Sequence, residues 1–311
     1  MVHLRVPPYK QAFVRDLSNA FSQAALTSYD NSIQPIDMEL AHHQHEQYVD
    51  AVRQFVPNVQ TVAGSDNLAD CCFIEDTCVI IHNVAVITRP GHPNRREEVV
   101  GVKQALEKYA LARQEDEGRD VQDREFHIHP MPEPCLLDGG DVLFTGSDVF
   151  VGLSKRTNRE GAEFLSKIFD AQYGLAPVHV IDLQNSASAS TLHLKCVVSA
   201  LVDTVLVVSD DDPGRFVQGE IQRLTQVEGQ DSKYKFVQVP DQISSNILRF
   251  PNAEGGLRGM VVQKRFPKST EVLKAAVQTI PGGEDCKVVE VDMSQFILAD
   301  GALTCCSLLL A

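Results

Sequence analysis

No stretch of the chain approaches the roughly 18 consecutive apolar residues of a membrane span, and the start, MVHLRVPPYK, lacks the apolar core of a secretory signal. A soluble, cytoplasmic protein with no membrane contact is expected. Positive charge is scarce: 28 Lys and Arg face 42 Asp and Glu, a formal net charge of −14. A field of that sign repels phosphate, so nucleic acid is disfavoured as a partner and a cationic ligand favoured. None of the eight cysteines shows the C-x-x-C spacing of a structural zinc site, and in 311 residues they are too dilute for a disulfide framework. No G-x-G-x-x-G follows a strand, and LDGGD lacks the spacing of a phosphate-binding loop. No proline- or serine-rich linker divides the chain. With 43% hydrophobic residues it can bury a sizeable core, so residues 1–311 read as one domain.

What is present is a divergent repeat of two strands followed by a helix. CFIEDTCVIIHNVAVITR (72–89) is β-rich and turns at His82-Asn83; Val99, Val102, Leu106 and Tyr109 follow at helical spacing. LLDGGDVLFTGSDVFVGLS (136–154) is a hairpin turning at Gly146-Ser147, and Thr157-x-x-Glu160 reads as a capping box before a helix. TLHLKCVVSALVDTVLVVS is a third strand pair, with Asp212-Pro213 as N-cap and first position of its helix. SSNILRF, GLRGMVVQKR and a helix through Leu273 and Val277 make a fourth. The fifth is split: KVVEVDM and LTCCSLLLA are strands at the end of the chain, and QAFVRDL with a helical stretch from Glu39 to Phe55 supplies the rest from its beginning. A ring closed by the two termini explains so apolar a last strand, because an exposed hydrophobic edge invites aggregation. The acidic segment 114–134 has no period and reads as a long surface loop.

Near the start of each unit's first strand stands a residue capable of chemistry: Glu75 and Asp76, Asp138 and Asp141, His193, Asn246, Cys305. With equivalent strands innermost, these side chains converge. A cysteine, a histidine and several carboxylates are the inventory of a thiol enzyme acting on a cation. Each has a plainer reading. A cysteine in an apolar strand is usually a small buried hydrophobe, and Cys305 and Cys306 would point to opposite faces. A lone histidine is usually a satisfied core or surface residue, and Asp138-Gly-Gly-Asp141 could be only a turn. Adjacent carboxylates opening an apolar stretch are harder to set aside, because burial without a cationic partner is costly. His42 and His45 could bind a metal, but with His43 they read as a solvated helix face.

The stretches FIED, ITRPGHPNRR, LDGGDVLFTGSDVFVGLSKRTN, TLHLK and DGALTCCS resemble the dimethylarginine dimethylaminohydrolases, members of the guanidino-group-modifying enzymes. The resemblance covers most of the chain from about Asp70 to Leu309. It implies an α/β fold, a five-bladed pseudo-symmetric α/β propeller (pentein) closed by N- and C-terminal strands, and one catalytic domain. It implies Cys305 as nucleophile, His193 as general acid and base, and Asp138 as the carboxylate beside it. Asp70, Glu75 and Asp76 match positions that engage the substrate's guanidinium and amine, Arg95 and Arg156 those that contact its carboxylate, and Leu26 and Ala299 two further substrate contacts. Ala299 stands where related sequences can carry valine.

The implied reaction is hydrolysis of asymmetric dimethylarginine and monomethylarginine to citrulline and dimethylamine or methylamine, through a covalent thiouronium on Cys305. Such an activity removes inhibitors of nitric oxide synthesis. No cofactor or metal is required, although zinc held by Cys305 and His193 would inhibit by occupying the thiolate. The partner is the small-molecule substrate, and the chain is expected as monomer or homodimer. An arginine deiminase and a non-catalytic methylarginine-binding relative are the competing readings.

Overall fold

A computed structural model describes residues 5–28, 34–116, 124–184 and 191–311. β1 (Gln11–Arg15) crosses over through helix α1 (Met38–Arg53) to the parallel β2 (Asn58–Val62). β3 (Cys78–Ile81) and β4 (Val84–Ile87) form an antiparallel pair turning at His82 with φ 54°, and α2 (Glu98–Glu115) leads to β5 (His127–Pro130), parallel to β4. The pattern recurs in β6 (Val142–Phe144), β7 (Val149–Leu153), α3 (Arg159–Leu165) and β8 (Val178–Asp182). It recurs in β9 (Val198–Val202), β10 (Val205–Ser209), α4 (Asp212–Thr225) and β11 (Lys235–Val239), and in β12 (Leu248–Pro251), β13 (Leu257–Gln263), α5 (Pro267–Gln278) and β14 (Lys287–Val291). Finally β15 (Leu308–Leu310) pairs antiparallel with β1, Gln11 opposite Leu310, so the two ends of the chain share a sheet.

The result is five three-stranded sheets of one topology in a propeller-like arrangement. Each unit is strand, strand, helix, strand, so the repeat carries a third strand that the apolar pattern does not announce. KVVEV is the third strand of the fourth unit, not part of the fifth. The middle strands β4, β7 and β10 are almost wholly buried because both faces are covered, which is why they read as continuous apolar runs.

Each sheet packs on the next through its own apolar core. Val86 of β4 meets Val142 and Val151 of the following unit, with Leu165 of α3. Phe150 meets Val198 and Leu206, with Val217 of α4; Val207 meets Met260, with Leu273 of α5. Phe250 and Val261 meet Ala12 and Val14, with Tyr48 of α1. Phe13, Leu308 and Leu310 then meet Cys78 and Ile87, with Leu106 of α2. The fifth sheet thus touches both the fourth and the first.

Several local expectations are corrected. The segment 114–134 is not one loop: α2 runs through Glu115, β5 occupies His127–Pro130, and residues 117–123 lie outside the described residues. Asn158, not Thr157, caps α3, its side chain accepting from the Gly161 amide, because the Thr157 hydroxyl is engaged by Asp141. Asp211, not Asp212, caps α4, accepting from the Gly214 amide. His45 is buried rather than solvated, packed on Phe296 and with its pKa lowered to about 4 by burial; His42 and His43 are exposed.

Candidate active site

The chemistry-bearing residues stand just before the first strands, not in them. A 3-10 turn precedes each one: Ile74–Thr77, Gly139–Asp141, Leu194–Cys196, Gln242–Ser245 and Thr304–Cys306. These turns are tied into a circuit. The Gly140 amide donates to Asp76 at 2.9 Å and the Leu194 amide to Asp141 at 2.9 Å. Asn246 donates to the Lys195 carbonyl at 3.1 Å, accepts from the Thr304 amide at 2.9 Å, and lies 3.0 Å from the Thr304 hydroxyl, which donates to Glu75 at 2.8 Å. Every link satisfies a buried polar group, so the five turns hold one another in place.

One cavity opens on this circuit. Cys305 and His193 line it, and Cys306 is turned away into the apolar core, its thiol donating to the Ala302 carbonyl. His193 lies 3.1 Å through Nε2 from Asp138, a fully buried carboxylate that also accepts from the Gly91 amide. Burial alone would lower the imidazole's pKa, but Asp76, Asp138 and Asp141 outweigh it and raise it to about 9. The Cys305 thiol is pushed well up by burial and by the Glu75 and Asp76 carboxylates. The resting pair is therefore a neutral thiol and an imidazolium.

Asp70 and Asp76 line the same cavity. Burial resists the ionisation of Asp76, yet His193, the Arg95 guanidinium and the Gly140 amide hold it down at about 2. Burial raises the pKa of Asp70, whose carboxylate accepts from the Leu26 amide. Leu26 and Ala299 are both in the wall. Arg95 reaches the cavity too, but its guanidinium is gripped by Asp76 at 2.6 Å and by Glu98 at 2.8 Å. Arg156 differs: its Nη1 is buried without a hydrogen-bond partner among the described residues.

Two expected site residues do not line this cavity: Asp138, which reaches it only through His193, and Glu75. The Glu75 carboxylate meets Lys195 at 2.6 Å and Thr304, and Glu75 lines a second cavity among the inner strands on the other side of the turns. Asp76, Asp138 and His193 bring ligand-capable atoms within 4.8 Å of one another, but those atoms are committed to Arg95, Gly140 and each other; Cys305 is not among them.

Two features escape sequence reasoning. Asp300, with φ 56°, lines the cavity and accepts from the Ser28 amide at 2.6 Å and its hydroxyl at 2.7 Å, so residues 26–28 are fastened to both walls, at Asp70 and at Asp300. Its place five residues before Cys305 was the only available signal. Gly140 is the second: a Cβ there would stand 2.7 Å from His193 Nδ1, so only glycine lets the ring lie flat against the turn.

The family model described as N,N dimethylarginine dimethylhydrolase, eukaryotic, matches residues 11–309. The N(G),N(G)-dimethylarginine dimethylaminohydrolase of Streptomyces coelicolor is 29% identical over 303 residues, covering 96% of each chain. A putative hydrolase, DDAH2, of Bos taurus is 30% identical over 76% of this chain and 72% of its own. Among solved structures, a Cys-to-Ser mutant of the Pseudomonas aeruginosa DDAH complexed with citrulline superposes with a TM-score of 0.73 at 22% identity, covering 97% of this chain and all of that one. The product-bound N-terminal domain of ArgZ, a cyanobacterial arginine dihydrolase, gives 0.71 at 16% identity over 97% of each. At these identities the two structures speak for the fold. No helix among the described residues is long and apolar enough to cross a membrane.

Proposed function

This chain belongs to the dimethylarginine dimethylaminohydrolase family, and we propose that it hydrolyses Nω-methylated arginines to citrulline and the methylamine. The observation that carries the reading is the cavity: the Cys305 thiol and the His193 imidazolium, backed by Asp138, open into the same space as Asp70, Asp76 and Arg156, whose Nη1 is buried without a hydrogen-bond partner among the described residues. An α-amino acid with a cationic tail presents the complementary charges. Family membership supports the coarser statement, a hydrolase acting on guanidino C–N bonds.

The chemistry follows from the charges. A guanidinium is a weak electrophile because its charge is delocalised, so the nucleophile must be a thiolate. In the free protein burial, and then the carboxylates Glu75 and Asp76, disfavour that form. A bound guanidinium brings positive charge beside the sulfur and favours it, so the Cys305 proton is lost to solvent when substrate arrives. Asp76 accepts hydrogen bonds from the guanidinium and orients its carbon over sulfur. Attack gives a tetrahedral adduct. His193, charged at neutral pH, then protonates the departing dimethylamine and leaves a thiouronium on Cys305. Neutral His193 next takes one proton from water and the oxygen attacks the same carbon; collapse of the adduct forms the citrulline carbonyl and breaks the C–S bond, the hydroxyl proton passing to sulfur, so the thiol and the imidazolium are restored. Arg156 supplies the donors for the α-carboxylate.

The intermediate can be tested directly. Acid quenching during turnover, followed by peptide mapping, should show the Cys305 peptide heavier by dimethylarginine minus dimethylamine. An unmodified Cys305 peptide under conditions of turnover, or the adduct on another cysteine, would contradict the mechanism.

A further inference from the structure

Asp141 is the one carboxylate of the turns that neither lines the cavity nor pairs with a cation, yet it is fully buried. Its Oδ1 accepts from the Leu194 amide at 2.9 Å, the residue after His193. Its Oδ2 accepts from two hydroxyls, Ser154 at 2.6 Å and Thr157 at 2.7 Å. Each hydroxyl in turn accepts a backbone amide of a site residue: Thr157 that of Asp138 at 3.2 Å, and Ser154 that of Arg156 at 3.0 Å. Through Thr157 the links close on themselves, from Asp138 to the His193 ring, along the chain to Leu194, to Asp141, and back to the Asp138 amide. Through Ser154 a separate arm reaches Arg156, whose Nη1 has no hydrogen-bond partner among the described residues.

We infer that Asp141 is a positioning residue with two separable arms, one through Thr157 setting the Asp138–His193 pair and one through Ser154 setting Arg156. The inference rests on the proposed reaction for its kinetic readout. Each hydroxyl donates to Asp141 while its oxygen accepts an amide, so this one carboxylate orients both at once. A mere packing role would not separate binding from chemistry. The negative charges of three carboxylates act on the His193 ring, Asp76 from the first turn and Asp138 and Asp141 from the second. Removing one of the three weakens the hold on the imidazolium without abolishing it.

The test is steady-state kinetics on asymmetric dimethylarginine with single variants. Thr157→Ala is expected to lower kcat about tenfold with KM within about twofold, and Thr157→Ser to restore it; Ser154→Ala is expected to raise KM about tenfold with kcat nearly unchanged. Asp141→Asn, of equal size, should also lower the His193 imidazole titration followed by NMR, by about one unit. Equal changes of kcat and KM in both hydroxyl variants, no change in either, or an unmoved His193 titration would overturn the inference. The NMR titration needs no turnover. A protein inert toward dimethylarginine whose titration shifts would contradict the proposed reaction while supporting this assignment.

Discussion

At the residue scale the pair Cys305 and Cys306 shows how neighbours in sequence take different work. Cys305 faces the cavity; Cys306 is fully buried in the core between the fourth and fifth sheets. Cys305→Ser should abolish citrulline formation. Cys306→Ser should keep turnover within a few-fold and cost about 1–3 kcal/mol in stability, read from denaturant unfolding, because a hydroxyl replaces a thiol in an apolar setting. The acid side chain makes a pH prediction as well. His193 holds its proton to about pH 9, so kcat/KM is expected to fall as pH rises through that value, as the proton donor to the amine is lost. The types and places of Cys305, His193 and Asp138 were legible in the sequence. The position of Glu75 was not, since two adjacent carboxylates in a tight turn point to opposite sides of it, Asp76 to the cavity and Glu75 to Lys195.

At the element scale the 3-10 turns matter more than the strands they precede. A sequence read for periodicity sees the apolar run and assigns the preceding polar residues to its first positions; a turn of three or four residues has no period to detect. Apart from KVVEV, which was read as a strand but given to the wrong unit, the third strands were hidden for a related reason. Asn58–Val62, His127–Pro130 and Lys235–Val239 are short and lie at a sheet edge, and of their residues only Val62 and Val239 are buried. Their pairing is dictated by the helix that returns the chain beside the middle strand. Gly140→Ala should lower kcat by at least about a hundredfold with little loss of secondary structure by circular dichroism, since the added Cβ displaces the His193 ring. Leu308→Ala, at a buried position of β15, should cost about 2–5 kcal/mol of unfolding free energy, as its side chain fills the core between the fifth and first sheets.

At the scale of the whole molecule, the five units and the joining of the first and last strands could be read from the sequence, because apolar strand pairs and helical spacings recur and the terminal run is too apolar to be left at an edge. The circuit of hydrogen bonds that registers the turns could not, since it depends on side chains far apart in sequence. That circuit links catalysis to stability. The His193 pKa is raised by folding, so its contribution is fully present below about pH 6.5 and is lost as pH rises through about 9. The Asp76 pKa is depressed, so its contribution is present above about pH 3.9 and is lost as pH falls toward 2. The melting temperature should therefore decline between about pH 6.5 and 9, and the decline should be smaller in His193→Asn.

The proposed hydrolysis is tested most directly by citrulline release from asymmetric dimethylarginine and from arginine, by the reduced, metal-free protein and its Cys305→Ser variant side by side. Turnover of the methylated substrate that vanishes in the variant is expected. Turnover of arginine alone would make the protein a deiminase, and turnover of neither, with dimethylarginine still bound, would make it a binding protein; either result would rule out methylarginine hydrolysis at Cys305.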